Sequence, residues 1–218
     1  MKHQGVFLFA SLAMALASAV PAFAETETFD TAKPGAAPPG WTTGVTGRGA
    51  AKWTVEADAS APSKGQVLKQ GGRGTYPIAL RDGTSVRDGF VETRFKAMTG
   101  SEDRAAGIVW RAKDTNNYYV VRANALEDNV VLYKTVNGQR IELNTIKGDT
   151  YGLKAPVPPN QWHTLRVEFA GPRFKVVYNG TTLFEVDDAT FKDAGKVGLW
   201  TKADSVTVFD DLSFGAAG

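Results

Sequence analysis

The chain has 218 residues, a formal charge of +2 and no cysteine. The positive and negative charges nearly balance, which argues against a nucleic-acid-binding protein, because most such proteins are strongly basic. Without cysteine, the chain has no disulfide bonds to stabilise it. A chain of this length is typical of one domain that buries a core without covalent cross-links.

The first 24 residues have the composition of a secretory signal peptide. Lys2 supplies a positive charge, Val6 to Val20 is apolar, and Ala22-Phe23-Ala24 has the small-x-small pattern of a cleavage site. The apolar run is shorter than the ~20 residues that a membrane-spanning helix requires. We therefore expect cleavage after Ala24, one domain over residues 25–218, and a periplasmic or secreted location.

The remaining sequence predicts short β-strands and almost no helix. Lys33–Gly40 is a Pro- and Gly-rich loop, and from about Trp53 onward apolar and polar residues alternate. Asn137-Gly138 and Asn179-Gly180 are typical of two-residue hairpin turns, because both turn positions need positive φ. The one candidate for a helical turn is Asp188–Asp193. The clearest predicted strands are Val91–Ala97, Ala105–Arg111, Tyr118–Asn124, Asn129–Thr135, Arg140–Ile146, Trp162–Phe169, Arg173–Tyr178, Thr181–Val186, Lys196–Thr201 and Ser205–Phe214.

Sequential antiparallel hairpins of this kind predict an all-β fold, a two-sheet antiparallel β-sandwich. Three segments also resemble a known family: Gly107–Arg140 with GIVWRAKDTNNYY, Trp162–Val186 with WHTLRV and YNGTTLF, and Gly195–Leu212 with VGLW and VTVFDD. Together they resemble the concanavalin A-like lectin and glucanase jelly roll, and within it the 3-keto-disaccharide hydrolase domain group, which is glycoside hydrolase family 16-like. The resemblance implies a jelly roll and, as one possible activity, a hydrolase or lyase of 3-keto-glucosides.

The catalytic pattern of the family 16 glucanases is incomplete in this sequence. Those enzymes carry E-x-D-x-x-E on one strand, which points the nucleophile and the acid into the cleft. The nearest match has Glu185 and Asp187, but Thr190 stands where the second glutamate belongs. Because that acid would protonate the leaving oxygen, we do not expect a family 16 mechanism.

Two-residue alternation places a polar and aromatic set of side chains on one sheet face. If residues 113–116 form a loop, Arg111 and Tyr118 lie opposite each other. Across the next loop, Asn124 faces Asn129. The opposite face has the composition of a core: Ile108, Trp110, Tyr119, Val121, Val130 and Leu132. The predicted ligand-binding residues are Arg111, Tyr118, Arg122, Asn124, Asn129, Tyr133 and Trp200, the last expected to be exposed.

This mixture of side chains is suited to a sugar. Tyr and Trp rings stack on pyranose C–H groups, while Arg and Asn bond hydroxyls in pairs. Two arginines also favour a carboxylated or sulfated glycan. In a purely structural alternative, both arginines are held by ion pairs with Asp103, Glu92 or Glu127. We expect carbohydrate or polysaccharide binding, with a glycoside-processing enzyme and a non-catalytic structural or adhesive domain as alternatives.

Metal and cofactor signals are weak. His163 is the only histidine after the signal peptide and has no second His or Cys to complete a zinc site, so we expect a structural hydrogen bond. Asp30 and the pair Asp210-Asp211 come together if the terminal strands pair, and their oxygens would suit a structural calcium ion. No other cofactor is expected.

Overall fold

The computed structural model describes residues 24–216, so the predicted signal peptide lies outside the described residues except for Ala24. No helix in this range could cross a membrane. The described chain forms sixteen strands. In chain order, β1 to β16 cover Ala24–Glu27, Trp41–Ala50, Trp53–Ala57, Gln66–Gln70, Arg73–Arg81, Gly89–Thr99, Ala105–Asp114, Asn117–Asn124, Asn129–Val136, Gln139–Glu142, Leu153–Lys154, His163–Ala170, Arg173–Tyr178, Thr181–Asp187, Lys196–Trp200 and Val206–Ala216.

The strands form two antiparallel sheets, which confirms the predicted sandwich. The first sheet has the order β14-β13-β12-β6-β16-β4-β3, with β1 beside β16. The second has the order β10-β9-β8-β7-β15-β5-β2, with β11 beside β9. Strands distant in sequence are neighbours, as in β6 beside β16 and β5 beside β15, so the chain passes between the sheets repeatedly in the manner of a jelly roll.

The main core fills the space between the sheets. Phe169 and Phe174 of the first sheet meet Trp110 and Tyr119 of the second. The ring centroids of Trp110 and Phe174 are 5.3 Å apart in an edge-to-face arrangement, and those of Tyr119 and Phe174 are 4.7 Å apart. Each fully buried aromatic side chain contributes about 1.5–3 kcal/mol through removal from water. The entire predicted core is buried here: Ile108, Trp110, Tyr119, Val121, Val130 and Leu132.

The pairing of β8 with β9 follows the predicted register, with Asn124 opposite Asn129. Both predicted hairpin turns form. Asn137 and Asn179 have φ values of 49° and 48°, and Gly138 and Gly180 follow them with positive φ as well. This conformation matches the right-handed twist of the flanking strands, so the turns fix which side chains face outward.

Alternation fails at Arg111. Trp110 is still opposite Tyr119, but the next pair joins Asp114 to Asn117, so the residues between them form a β-bulge. Arg111 has a φ of 46°, and the bulge turns its side chain off the face that strict alternation predicts. The predicted pairing of Arg111 with Tyr118 is therefore wrong.

Two further predictions differ from the structure. The strand predicted for Arg140–Ile146 ends at Glu142, and the chain then leaves the sheet before returning at β11. Asp188–Asp193 contains no helical turn, because the segment is held by other contacts: the Tyr119 hydroxyl donates to Asp188, and the backbone N–H of Phe191 donates to Tyr119.

Candidate functional site

A second apolar cluster lies on the side of the second sheet that is turned away from the first. Its members, among them Val109, Tyr118, Tyr133 and Trp200, all come from the second sheet. By alternation they point opposite to Trp110 and Tyr119 of the main core. We call this side the outer face. Most of the residues predicted to bind a ligand are here.

Aromatic rings cover the middle of the outer face. Tyr76 stacks on Trp200 with ring centroids 5.4 Å apart, and Tyr133 meets Trp200 edge-on at 5.7 Å. Trp200 Nε1 donates to the Tyr118 hydroxyl, which also bonds the Thr46 hydroxyl at 2.8 Å. Trp200 is 0 % exposed. The predicted exposure of this indole is therefore wrong: it is the floor under Tyr76.

Arg122 lies at one side of these rings in a polar network. Its guanidinium donates to Asn129 Oδ1 at 2.7 Å and to Glu127 Oε2 at 2.8 Å. The Arg122 side chain is 3 % exposed, whereas that of Glu127 is 40 % exposed. Burial favours a raised pKa for Glu127, but the charge and hydrogen bonds of Arg122 outweigh it and lower the pKa. Glu127 is thus an ionised carboxylate at the rim of the face.

Asp103 links this network to Lys202. Asn124 Nδ2 donates to Asp103 Oδ1 at 2.5 Å, and Lys202 forms an ion pair with the other carboxylate oxygen. Asp204 fixes the loop that carries Asp103 by accepting three backbone N–H bonds from residues 101–103. Burial opposes ionisation of Asp204, but these bonds dominate and hold its pKa well below the ordinary value.

A groove of about 420 Å³ opens beside Tyr76. Tyr76 is half-buried, and its ring forms one wall. Arg73 and Glu102 form an exposed ion pair at the rim, while the Arg48 side chain has no ion-pair partner in residues 24–216. We call this the Tyr76 groove; the side chains that line it are Arg48, Arg73, Thr75, Tyr76, Glu102 and Lys202.

The far side of the outer face is roofed by the segment after β10. Tyr151 is half-buried over the second apolar cluster, and the Arg140 guanidinium lies 5.2 Å from the centre of the Tyr133 ring. Burial raises the pKa of Tyr151 to about 12, although the charges of Arg140 and Arg122 oppose the shift. Four buried polar atoms under this roof have no hydrogen-bond partner in the described chain: Arg122 Nε, Tyr133 Oη, Thr135 Oγ1 and Tyr151 Oη.

Six of the seven predicted site residues lie on the outer face: Tyr118, Arg122, Asn124, Asn129, Tyr133 and Trp200. Arg111 does not. Its guanidinium points between the ends of the sheets, 5.6 Å from the ring centres of both Phe169 and Phe174. The structural alternative predicted that both arginines form ion pairs with Asp103, Glu92 or Glu127. Arg122 does pair with Glu127, whereas Arg111 pairs with Asp88, which was not predicted.

Sequence reasoning missed several site residues: Arg48, Arg73, Tyr76, Tyr151 and Lys202. The Gly72-Arg73-Gly74 stretch is typical of a turn, yet β5 already begins at Arg73. Alternation along β5 was the available signal, because Tyr76, Ile78 and Leu80 are spaced two residues apart and all belong to the outer-face cluster. Tyr151 gave no signal, because its position depends on the path of an irregular segment.

The carboxylates of the incomplete family 16 motif lie away from the outer face. Glu185 and Asp187 are on β14, an edge strand of the first sheet, and both bind Arg173 in ion pairs of 2.7 and 2.6 Å. His163 is buried, with Nε2 donating to the carbonyl of Pro158 and Nδ1 3.0 Å from the Tyr178 hydroxyl. These contacts are those of a structural histidine.

The residues considered for calcium meet around Ser63. Asp30 accepts bonds from the Ser63 hydroxyl and the backbone N–H of Gln66, and Asp210 accepts from the backbone N–H of Ser63. Backbone N–H and hydroxyl donors therefore bind Asp30 Oδ1 and Asp210 Oδ2, two oxygens that a calcium ion would need as ligands. Asp211 turns instead toward Arg94 at 3.5 Å. No group of three or more acidic or histidine side chains in the described chain could hold a metal ion.

A family model described as the 3-keto-alpha-glucoside-1,2-lyase-like domain matches residues 26–214. The chain belongs to this family. The match covers both sheets, so the outer face and the Tyr76 groove lie within the 3-keto-alpha-glucoside-1,2-lyase-like domain. No curated protein matches the sequence.

Solved structures show the same fold as this lyase-like domain. The carbohydrate-binding module CBM66 from Bacillus subtilis superposes with a TM-score of 0.63 at 23% identity, over 80% of this chain and 94% of that one. The cellulose-induced protein Cip1 gives 0.63 at 12% identity, over 88% and 97%. A Bacillus licheniformis β-glucanase gives 0.55 at 10% identity, over 90% and 98%. The fold is the concanavalin A-like jelly roll.

Proposed function

We propose that this chain is an exported protein that binds a carbohydrate on the outer face of its second sheet. The observation that carries the proposal is the half-buried Tyr76 ring, which stacks on Trp200 and forms a wall of a groove edged by Arg48, Arg73 and Lys202. An aromatic face beside polar and charged donors is the combination that orients a small polar ligand. The glycan-binding name of one structural relative is consistent with this role.

Each part of the site has a task in this proposal. The Tyr76 ring offers a flat apolar surface to sugar C–H groups. Arg48 and Lys202 donate to hydroxyl or carboxylate oxygens of the ligand. Trp200 does not touch the sugar but keeps the Tyr76 ring in one orientation, since the two rings are stacked. The floor is therefore pre-ordered, which lowers the entropic cost of binding.

A binding panel of neutral and acidic oligosaccharides tests the proposal, with Tyr76→Ala and Arg48→Ala compared against the unaltered protein. We expect Tyr76→Ala to weaken the best-bound glycan at least about tenfold, because the stacking surface is lost. Arg48→Ala should weaken it several-fold without changing the melting temperature, because that side chain is exposed.

Arg94→Ala is the matched control, since the Arg94 side chain is 53% exposed, lies on the first sheet and does not line the groove. It should leave binding unchanged. The proposal would be contradicted if no glycan in the panel binds. It would also be contradicted if the unaltered protein, Tyr76→Ala and Arg48→Ala all bind equally well.

A second candidate is a glycoside-processing enzyme, favoured by the lyase activity in the description of the family model. A 1,2-lyase acting on a 3-keto-glucoside must remove the proton at C2, next to the ketone, and expel the C1 substituent. Glu127 is an ionised, partly exposed carboxylate, and the adjacent guanidinium of Arg122 could stabilise the enolate oxygen. Turnover of a 3-keto-disaccharide separates this candidate from a binding protein, which would bind it unchanged.

A further inference from the structure

A second cavity, of about 470 Å³, lies at the opposite end of the sandwich. Its walls are Arg87, Asp88 and Arg111, the turn at Gly171, and Lys192 of the loop before β15. The Tyr76 groove is near the start of β7, whereas Arg111 is near the end of that strand. Six residues of extended chain from Ala105 to Arg111 separate the two ends by about 20 Å.

Arg111 is a buried cation on the wall of this cavity. Its side chain is 1% exposed, and its Nε, Nη1 and Nη2 donate to the carbonyl of Arg87, the carbonyl of Phe191 and Asp88 Oδ1. A guanidinium has five N–H donors, so two of them have no acceptor in residues 24–216. The bulge at φ 46° is what brings this side chain to the cavity.

The charges around the cavity are unbalanced. Arg87 and Lys192 are exposed and have no ion-pair partner in the described part of the chain. Lys113 is close as well, with Nζ 5.7 Å from the centre of the Phe191 ring. The carboxylate on the wall is Asp88, which is already shared between Arg111 and the backbone N–H of Gly171. Beyond it, Asp193 is exposed next to Lys192 in sequence.

We propose that this cavity binds an oxyanion, the carboxylate or sulfate group of a small ligand. Burial makes each unpaired N–H of Arg111 costly unless an acceptor is supplied, and a charged acceptor gives the strongest such bond. Arg87 and Lys192 at the rim attract the same charge and add donors. This site is separate from the Tyr76 groove, so the proposal does not depend on whether that groove binds a sugar.

Sodium glucuronate is the probe, with sodium sulfate as the inorganic oxyanion and glucose as the neutral counterpart. The readout is the NMR signal of the Arg111 Nε–H group, which reports on this cavity alone. We expect glucuronate and sulfate to shift it in a saturable manner and glucose to leave it unmoved. Arg87→Ala with Lys192→Ala should weaken glucuronate binding about tenfold or more, since two charge-assisted contacts are lost.

Asp88→Asn provides a gain-of-affinity variant, because the amide oxygen still accepts from Arg111 while the competing negative charge is removed. Glucuronate should bind it several-fold more tightly. Lys147→Ala, which removes an exposed lysine that does not line the cavity, is the control and should bind as the unaltered protein does. The proposal would be overturned if the Arg111 signal does not move, or if the double variant binds glucuronate as tightly as the unaltered protein. It would also be overturned if Lys147→Ala loses as much glucuronate affinity as the double variant.

Discussion

Trp200→Ala should lower the free energy of unfolding by about 3–5 kcal/mol, the range for a fully buried large aromatic side chain. The indole is 0% exposed and is surrounded by Tyr76, Tyr118 and Tyr133. Its removal leaves a cavity and a Tyr118 hydroxyl that has lost a donor. Urea unfolding followed by circular dichroism measures the change.

Trp162→Ala is the matched control, because Trp162 is half-buried at the edge of a small cluster. This variant should lower the free energy of unfolding clearly less than Trp200→Ala does. A loss below about 1 kcal/mol for Trp200→Ala, as for an exposed side chain, would contradict the assignment of Trp200 as the floor of the outer face. The loss of unfolding free energy in Trp200→Phe should lie between those of Trp200→Ala and Trp162→Ala, because a phenyl ring still supports Tyr76.

Arg122→Met should lower the free energy of unfolding. Fully buried ion pairs lose about 3–5 kcal/mol when one partner is removed. Glu127 is 40% exposed and can regain water, so we expect about 2–3 kcal/mol in urea unfolding. Asn129 also loses its donor.

Glu127→Gln is the informative partner variant. The amide keeps an oxygen for Arg122 but removes the negative charge beside a guanidinium that is only 3% exposed, so stability should fall by about 1–2 kcal/mol, less than in Arg122→Met. A binding protein should keep most of its glycan affinity, whereas a lyase that uses Glu127 as the base should lose turnover of a 3-keto-disaccharide while still binding it. Unchanged stability in Arg122→Met would contradict the role of this network.

The sheet core and the hairpins could be predicted because they depend on local rules. Side chains alternate strictly along a strand wherever one face of the sheet is buried in the core. Trp110, Tyr119 and Val121 were therefore placed correctly between the sheets. Asn-Gly turns at 137–138 and 179–180 need positive φ, and few other residue pairs supply it. The register of β8 with β9 then followed from the four-residue loop between them.

The candidate site could be predicted only in part. Arg111 was misplaced because a single bulge reverses alternation, and no residue near it marks the bulge in the sequence. Burial of Trp200 depends on Tyr76 from β5, a strand distant in sequence, and on Tyr133 from β9. Alternation says which side of a sheet a residue faces, but not what lies over that side. The outer face was therefore predicted as a surface and is mostly covered.

Mapping the bound sugar on the protein tests the outer-face site most directly. The oligosaccharide that binds best in the panel is titrated into labelled protein, and the shifted NMR signals are assigned. We expect the largest shifts on Arg48, Tyr76 and Lys202, around the groove of the second sheet. Shifts confined to the first sheet, around Arg94, Arg166 and Arg173, would contradict it.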